Sequence, residues 1–497
     1  MGIEITRQQF EPAEYQAFAV RLRESLRALE RVLARPGFGE GPTSIGAELE
    51  LNLVDGHGRP ARVNEAVLAS AGEPRLDLEL NRFNMEINST PALLQGTPFS
   101  TIGGEFREVL TRAQQAARQH GARVVPIGIL PTLTTFDVLA DVMTDRLRYR
   151  ALSKALRDSR GGPFRIRING LDPIDLGCDD VTLEGAATSF QLHLRVNPNR
   201  FADFYNAAQI ATPLALAVSA NSPFFLGHRL WDETRIALFK QAVDDRRGER
   251  SIPGWPSPRV SFGHGWVRDG IHELFAEAVS LHTPLLPVLS DESPMAAIAA
   301  GDTPALDELR LHCGTIWRWN RAIYDPHDDG HVRIEMRALP AGPTVVDMMA
   351  NSAFLIGLTF GLADHVEQLV AQLPFAHARH NFYRAAQDGL DATLLWPADS
   401  APSPRPETVT SLVTRLLPVA HQGLVEAGVA VEEADDLLSV IRARCDTNTT
   451  GASWQRHAHI VLEARVGSRA EAMHRLVDAY EANVVTGQPV HLWPLPR

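Results

Sequence analysis

The chain has 497 residues, 44% of them hydrophobic and 22% charged, the composition of a folded globular protein that can bury a large core. Lys and Arg total 48 against 60 Asp and Glu, and the net charge of -12 argues against nucleic acid or an anionic membrane as the main partner. Cys178, Cys313 and Cys445 lie far apart and outside any zinc or iron-sulfur spacing, which suits a reducing, cytoplasmic compartment. The apolar run at 210–218 is too short to span a bilayer, and Asp347, Asn351 and Ser352 interrupt the one at 345–362, so no membrane partner is expected.

Residues 12–35 carry Phe18, Leu22, Leu26, Leu29 and Leu33 at helical spacing and stop at Pro36-Gly37. The next stretch, 46–55, places Glu48 and Glu50 on one face of a strand, with Ala47, Leu49, Leu51 and Leu53 on the other. Two carboxylates so placed hold a divalent cation or meet water. A second strand region, 76–90, offers Asn84, Glu86 and Asn88 in the same alternation. A helix at 101–119, a strand at 122–127 and a helix at 144–157 follow.

Gly161-Gly162-Pro163 breaks that helix before a strand at 164–169 that offers Arg165, Arg167 and Asn169. The acidic segment 171–185, with Glu184 in it, reads as a solvated loop whose offsets fit no calcium loop; its place just before the 190–196 strand leaves the mouth of a site as the alternative. The strand at 190–196 offers Gln191, His193 and Arg195. A mostly apolar helix at 199–219 ends at Asn221-Ser222-Pro223, and a further helix runs from 232 through Arg235 to about 245. A long Gly- and Pro-rich loop is expected at 248–269, and a helix carrying Leu306, Leu309, Trp317 and Arg321 at 304–322.

The strand at 332–338 offers Arg333, Glu335 and Arg337. Beyond it helices dominate, at 345–372, 379–389, 406–427, 432–444 and 452–482. The Pro-rich run 396–406 is the linker candidate, which divides a domain at 1–395 from a helical C-terminal part at 407–497 that is either an appendage or integral to the same domain.

Five strand segments therefore share one spelling, a polar face opposite an apolar row, and together they predict an α+β fold around an antiparallel sheet. Lys is absent from all five, whereas Arg, His, Gln and Glu recur. Such a face suits Mg2+ beside phosphate, the combination on which phosphoryl transfer depends. No Gly-x4-Gly-Lys-Ser/Thr loop and no dinucleotide-type glycine turn is present.

Gly46-Ala-Glu-Leu-Glu50, Thr188-Ser-Phe-Gln-Leu-His193, Ser219-Ala-Asn-Ser-Pro-Phe224, Arg235 and Glu335-Met-Arg337, in this order, resemble the glutamate-cysteine ligase type 2 family, the carboxylate-amine ligases. The likeness continues in Asn381-Phe-Tyr-Arg384, Asp388-Gly-Leu-Asp391 and Gly451-Ala-Ser-Trp-Gln-Arg456. The resemblance implies a curved, glutamine-synthetase-like catalytic sheet and an ATP- and Mg2+-dependent ligase. Such an enzyme phosphorylates a carboxylate, in the reference case that of L-glutamate, and passes the acyl group to an amine, in the reference case L-cysteine.

Carried over residue by residue, the resemblance makes Glu48, Glu50, Glu86 and Glu335 metal ligands and Arg337, His193 and Gln191 catalytic. Arg235, Asn221 and Arg195 then position nucleotide or substrate. A ligase for a different amine and a catalytically silent nucleotide-binding protein are the alternatives.

Overall fold

In the computed structural model residues 5–247, 256–398 and 403–496 are described. Residues 248–255 of the expected Gly- and Pro-rich loop and 399–402 of the Pro-rich run lie outside them.

The N-terminal helix Pro12–Leu33 starts where Pro12 presets the first turn and Glu11 and Glu14 cap each other's backbone. Its buried Phe18, Leu22 and Leu29 face the core. The strands of interest are β1 (Ser44–Val54), β2 (Leu76–Leu78), β3 (Asn84–Asn88), β4 (Ala92–Leu93), β5 (Arg123–Val125), β6 (Phe164–Ile168), β7 (Ile174–Cys178), β8 (Phe190–Val196), β9 (Asn320–Asp325) and β10 (His331–Met336). The principal sheet has the order β9-β10-β8-β1-β3-β2, with β4 and β5 also paired to β1. All of these pairings are antiparallel.

The expected alternation holds in β1, where Leu49, Leu51 and Leu53 are fully buried and Glu48 and Glu50 are half-buried on the other face. The helix Pro98–Gln119 buries Ile102, Phe106 and Val109, and Phe106 meets Phe190 of β8 edge-on at 5.9 Å between ring centroids. The apolar backing thus leaves the polar face free to build a site.

Several expectations are corrected. The segment at 164–169 does contain a strand, β6, but it pairs with β7 in a separate hairpin and not in the principal sheet. Its apolar side, Ile166 and Ile168, joins a second core with Leu238, Trp454 and Tyr480. Arg165 and Arg167 are exposed and pair with Asp175 at 3.1 and 3.0 Å, and Asn169 is also exposed. Alternation identifies a strand but carries no information about which strand lies beside it.

The acidic stretch at 171–185 is not simply solvated. Asp172 pairs with Arg229 at 2.7 Å and Arg469 at 3.1 Å, and Asp175 belongs to β7. Residues 304–322 do not form one helix either: Asp307–Cys313 is helical, Gly314 caps it, and β9 follows. From Asn320 to Tyr324 burial alternates with period two, so Arg321 lies on a strand.

Helix Val345–Ala363 is almost wholly buried and packs against helices Phe201–Ser219 and Val409–Ala427. By length and composition it is the one helix among the described residues that could cross a membrane, yet 78% of its apolar window is buried inside the protein. It ends before a separate helix, Val366–Gln372, and the expected 452–482 helix is divided by Gly467, at φ 66°, into Gly451–Val466 and Arg469–Val484. The Pro-rich run is bracketed by the antiparallel strands Thr393–Trp396 and Arg405–Thr408.

The approach of helix Val345–Ala363 to helix Val409–Ala427 depends on absent side chains. A Cβ at Gly357 would press into the Ala420 carbonyl oxygen and the Leu424 side chain. Gly357→Ala is therefore expected to destabilise the protein by about 1–3 kcal/mol, read from urea unfolding. An unchanged midpoint would contradict this packing.

Candidate active site

The register of the principal sheet arranges its polar face in rungs. Glu50 lies across from Glu86, and Glu86 from Asp77. On the next rung Glu48 stands between Gln191 and Asn88. His193 then lies across from Glu335, which faces Arg321, and beyond them Arg195 faces Arg333. The face passes from carboxylates at one end to guanidiniums at the other.

Glu48, His193 and Glu335 converge, each offering one ligand atom within 4.8 Å of the others. His193 Nε2 is 2.9 Å from Glu48 Oε1 and 3.9 Å from Glu335 Oε1. Arg321 grips Glu335 at two points, 2.5 and 2.8 Å, and Arg337 Nη1 lies 3.2 Å from the same carboxylate. Arg337 also donates to Gln191 Oε1. The Gln191 amide in turn donates to Glu50 at 3.0 Å, and Glu50 accepts from the Ser189 N–H at 2.6 Å and hydroxyl at 2.8 Å. Gln191 thus couples the acidic rung to Arg337.

Electrostatics divide these carboxyls into two sets. Burial opposes ionisation of Glu335, but Arg321, Arg337 and His193 outweigh it and hold the group far below the ordinary carboxylate range. At Glu48 burial is likewise outweighed, by the charge and hydrogen bond of His193 and by Arg337. Burial raises Glu50 despite Arg235 and Ser189. Burial and Glu50 push Glu79 up to about 7. Glu86 and Glu184 stand well above their usual values through burial and repulsion from neighbouring glutamates. A crowd of half-buried acids that repel one another is the donor set a divalent cation would relieve. The carboxylates of Glu48 and Glu335, with the His193 imidazole, fit such an ion.

Glu79, Glu184 and Arg321 were missed as site residues in the sequence. Glu79 follows β2 in an Asp77-Leu78-Glu79 alternation that could have flagged it. Glu184 was hidden in the acidic segment and Arg321 in an apparent helix.

Arg195 lies on the polar face, on the guanidinium rung. Arg235 is 3% exposed, and its Nη1 donates to Glu233 at 3.0 Å and to the Ala338 carbonyl, next to Arg337, at 3.2 Å. Asn221 is fully buried. Its side chain donates to the Ala341 carbonyl and Tyr480 hydroxyl, both at 2.8 Å, and accepts from Gln455 at 2.8 Å. Its place is that of a brace joining the C-terminal helices to the segment behind Arg337. Burial pushes the thiols of Cys178, Cys313 and Cys445 up, which suits none of them to nucleophilic work.

Comparison with known proteins gives the same direction. The family model Glutamate-cysteine ligase family 2 (GCS2) matches residues 44–478. A Paenarthrobacter aurescens protein named "Putative glutamate--cysteine ligase 2-3" is 25% identical over 409 residues, 80% of this chain and 79% of its own length. A Frankia alni protein named "Putative glutamate--cysteine ligase 2-1" is also 25% identical, over 90% of this chain and 97% of its own. Among solved structures, the Francisella tularensis glutamate-cysteine ligase in complex with AMP shares the fold at a TM-score of 0.56 and 11% identity. That match covers 92% of this chain and 91% of that one. With a match across most of its length and a sheet face of carboxylates and arginines, the chain belongs to Glutamate-cysteine ligase family 2, a family of carboxylate-amine ligases.

Proposed function

We propose that this protein joins the side-chain carboxylate of glutamate to an amine, with cysteine as the reference acceptor, at the expense of ATP. The observation that carries this reading is the graded face, on which Glu48, His193 and Glu335 converge beside Arg337. In the first step a carboxylate oxygen of the donor attacks the γ-phosphorus, the bond to the β–γ bridging oxygen breaks, and ADP leaves. In the second the amine nitrogen attacks the acyl carbon, the C–O bond to phosphate breaks, and phosphate leaves with the electron pair. The amine proton passes to phosphate or solvent.

Glu48, Glu335 and His193 would hold one Mg2+, with Glu50 and Glu86 completing the metal face. Mg2+ bound there supplies charge neutralisation at the β- and γ-phosphates. Arg337, aimed by Gln191 and Glu335, donates to the phosphoryl oxygens as charge develops on them. Arg235 fixes the backbone beside Arg337 from below, and Arg195 steers an anionic group at the opposite rung. The hydrogen bonds of Tyr480 and Gln455 to Asn221 support the reading of residues 407–497 as part of the same catalytic unit.

The test is ADP release by purified protein with ATP, Mg2+ and L-glutamate, with and without L-cysteine or other amines. Amine-dependent release with a dipeptide of matching mass is the expected result, and chelation of Mg2+ should abolish it. Absence of release with every carboxylate and amine tried would overturn the reading.

A further inference from the structure

A cavity of about 280 Å³ opens beside the Glu48–His193–Glu335 cluster, and four arginines, Arg148, Arg310, Arg321 and Arg333, stand among its acidic and apolar lining. Three of them are already held by an acid. Arg321 pairs with Glu335 at 2.5 Å, Arg333 with Asp325 at 3.1 Å and Arg310 with Asp307 at 3.3 Å. Arg148 is exposed and makes no hydrogen bond or ion pair among the described residues. It keeps its whole guanidinium fork for an incoming anion.

The chain on either side of Arg148 is fixed to the edge of the principal sheet. Thr144 donates through its N–H to the Leu80 carbonyl at 2.8 Å and through its hydroxyl to the Glu79 carbonyl at 2.6 Å. Arg146 pairs with Asp77 at 2.9 Å, and the Tyr149 hydroxyl donates to the Leu78 carbonyl at 3.2 Å. The backbone is tied down, and the Arg148 side chain is left to move. Arg148 also sits in the first turn of helix Leu147–Arg160, a turn without an acid. A cation there opposes the helix dipole, so helix stability does not account for it.

Burial raises both Glu79 and Tyr149, and the charge of Arg148 works against the rise in each. The guanidinium thus lies within electrostatic reach of the acidic end of the face while it lines the cavity beside Glu48. Arg337 meets the cluster from the sheet, through Glu335, whereas Arg148 comes from a helix outside the sheet. The anion expected against so many carboxylates is one whose charge a divalent cation offsets. A Mg2+-bound triphosphate is such an anion, and a free substrate carboxylate is repelled.

We propose that Arg148 is a further catalytic residue, a mobile guanidinium that, on the ligase reading above, donates to the γ-phosphoryl oxygens while that group passes from ATP to the carboxylate. The bonds made and broken are those of the first step already given. Arg148 loses no proton and supplies only hydrogen-bond donors and charge, from the side opposite Arg337.

The experiment measures single-turnover ADP formation, steady-state kinetics and melting for wild type, Arg148→Ala and Arg148→Lys. Arg148→Ala should lower kcat by at least about tenfold and move the KM for glutamate by less than about twofold, with Arg148→Lys recovering part of the rate. Its melting temperature should equal that of the wild type, because the side chain holds nothing in the fold. Calorimetric titration gives a readout without turnover. Arg148→Ala should bind ADP with Mg2+ within about twofold of the wild type, and ADP with Mg2+ and aluminium fluoride, a mimic of the transferring phosphoryl, at least about tenfold more weakly. Unchanged kcat would overturn the proposal. So would an effect confined to the KM for glutamate, an equal loss for both ADP ligands, or a lowered melting temperature. Lack of ADP release by the wild type with every substrate pair sinks the ligase reading, whereas normal turnover in Arg148→Ala sinks only the role of Arg148.

Discussion

Arg337→Ala is expected to lower turnover by about 10²–10³-fold without unfolding the protein, the scale seen when one preorganised donor to developing charge is removed. The two effects separate because Glu335 keeps its two-point pair with Arg321 when Arg337 is lost, so no buried carboxylate is orphaned. Gln191 likewise remains tied to Glu50 and Ser189. Single-turnover ADP formation and a thermal melt read the two quantities independently. Arg337→Lys should recover part of the rate, since it restores a point charge but not the planar fork. Near-normal turnover in Arg337→Ala would remove this side chain from the reaction. Glu48→Gln should raise the Mg2+ concentration needed for half-maximal activity.

Arg444→Ala is expected to be the most destabilising single substitution outside the sheet, at about 3–5 kcal/mol in urea unfolding. Arg444 is 1% exposed and donates to Asp347 at 2.7 Å, to the Asn351 side chain at 2.6 Å and to the Val218 carbonyl at 3.0 Å. Asp347 is fully buried, caps its own helix through Thr344, and accepts the Val490 N–H at 3.1 Å. Truncating Arg444 therefore leaves a buried carboxylate without its cation at the point where helices Phe201–Ser219, Val345–Ala363 and Val431–Thr447 meet the C-terminal turn. A loss below about 1 kcal/mol would show the carboxylate satisfied by other groups. A separate early transition for residues 407–497 would make that part an appendage, and one cooperative transition would make it integral.

Glu48 and Glu50 were legible because strand geometry puts alternate residues on one side whatever the partner strands are. Glu86, His193, Arg195, Glu335 and Arg337 were legible for the same reason. Arg165 and Arg167 obeyed the same rule on a strand that lies elsewhere, which shows the limit of a pattern with no record of neighbours. Arg321 was hidden because Leu306, Leu309 and Trp317 happen to fit a helical period across the Gly314 break. Resemblance alone points to Asn221, and its hydrogen bonds hold three parts of the chain together.

By itself the sequence determined the class of fold, the polar rows of the strands and the family, since each is written in local spacing or in ordered motifs. Only the tertiary structure decided which rows become neighbours, that Glu79 and Glu184 join the acids, that Arg321 rather than Arg165 pairs with Glu335, and that a cavity lined by acidic, basic and apolar side chains opens beside them. The reason is physical. Strand register and helix approach are set by contacts between residues distant in the chain, and the charge of a site is the sum of groups that only those contacts bring within a few ångströms of one another.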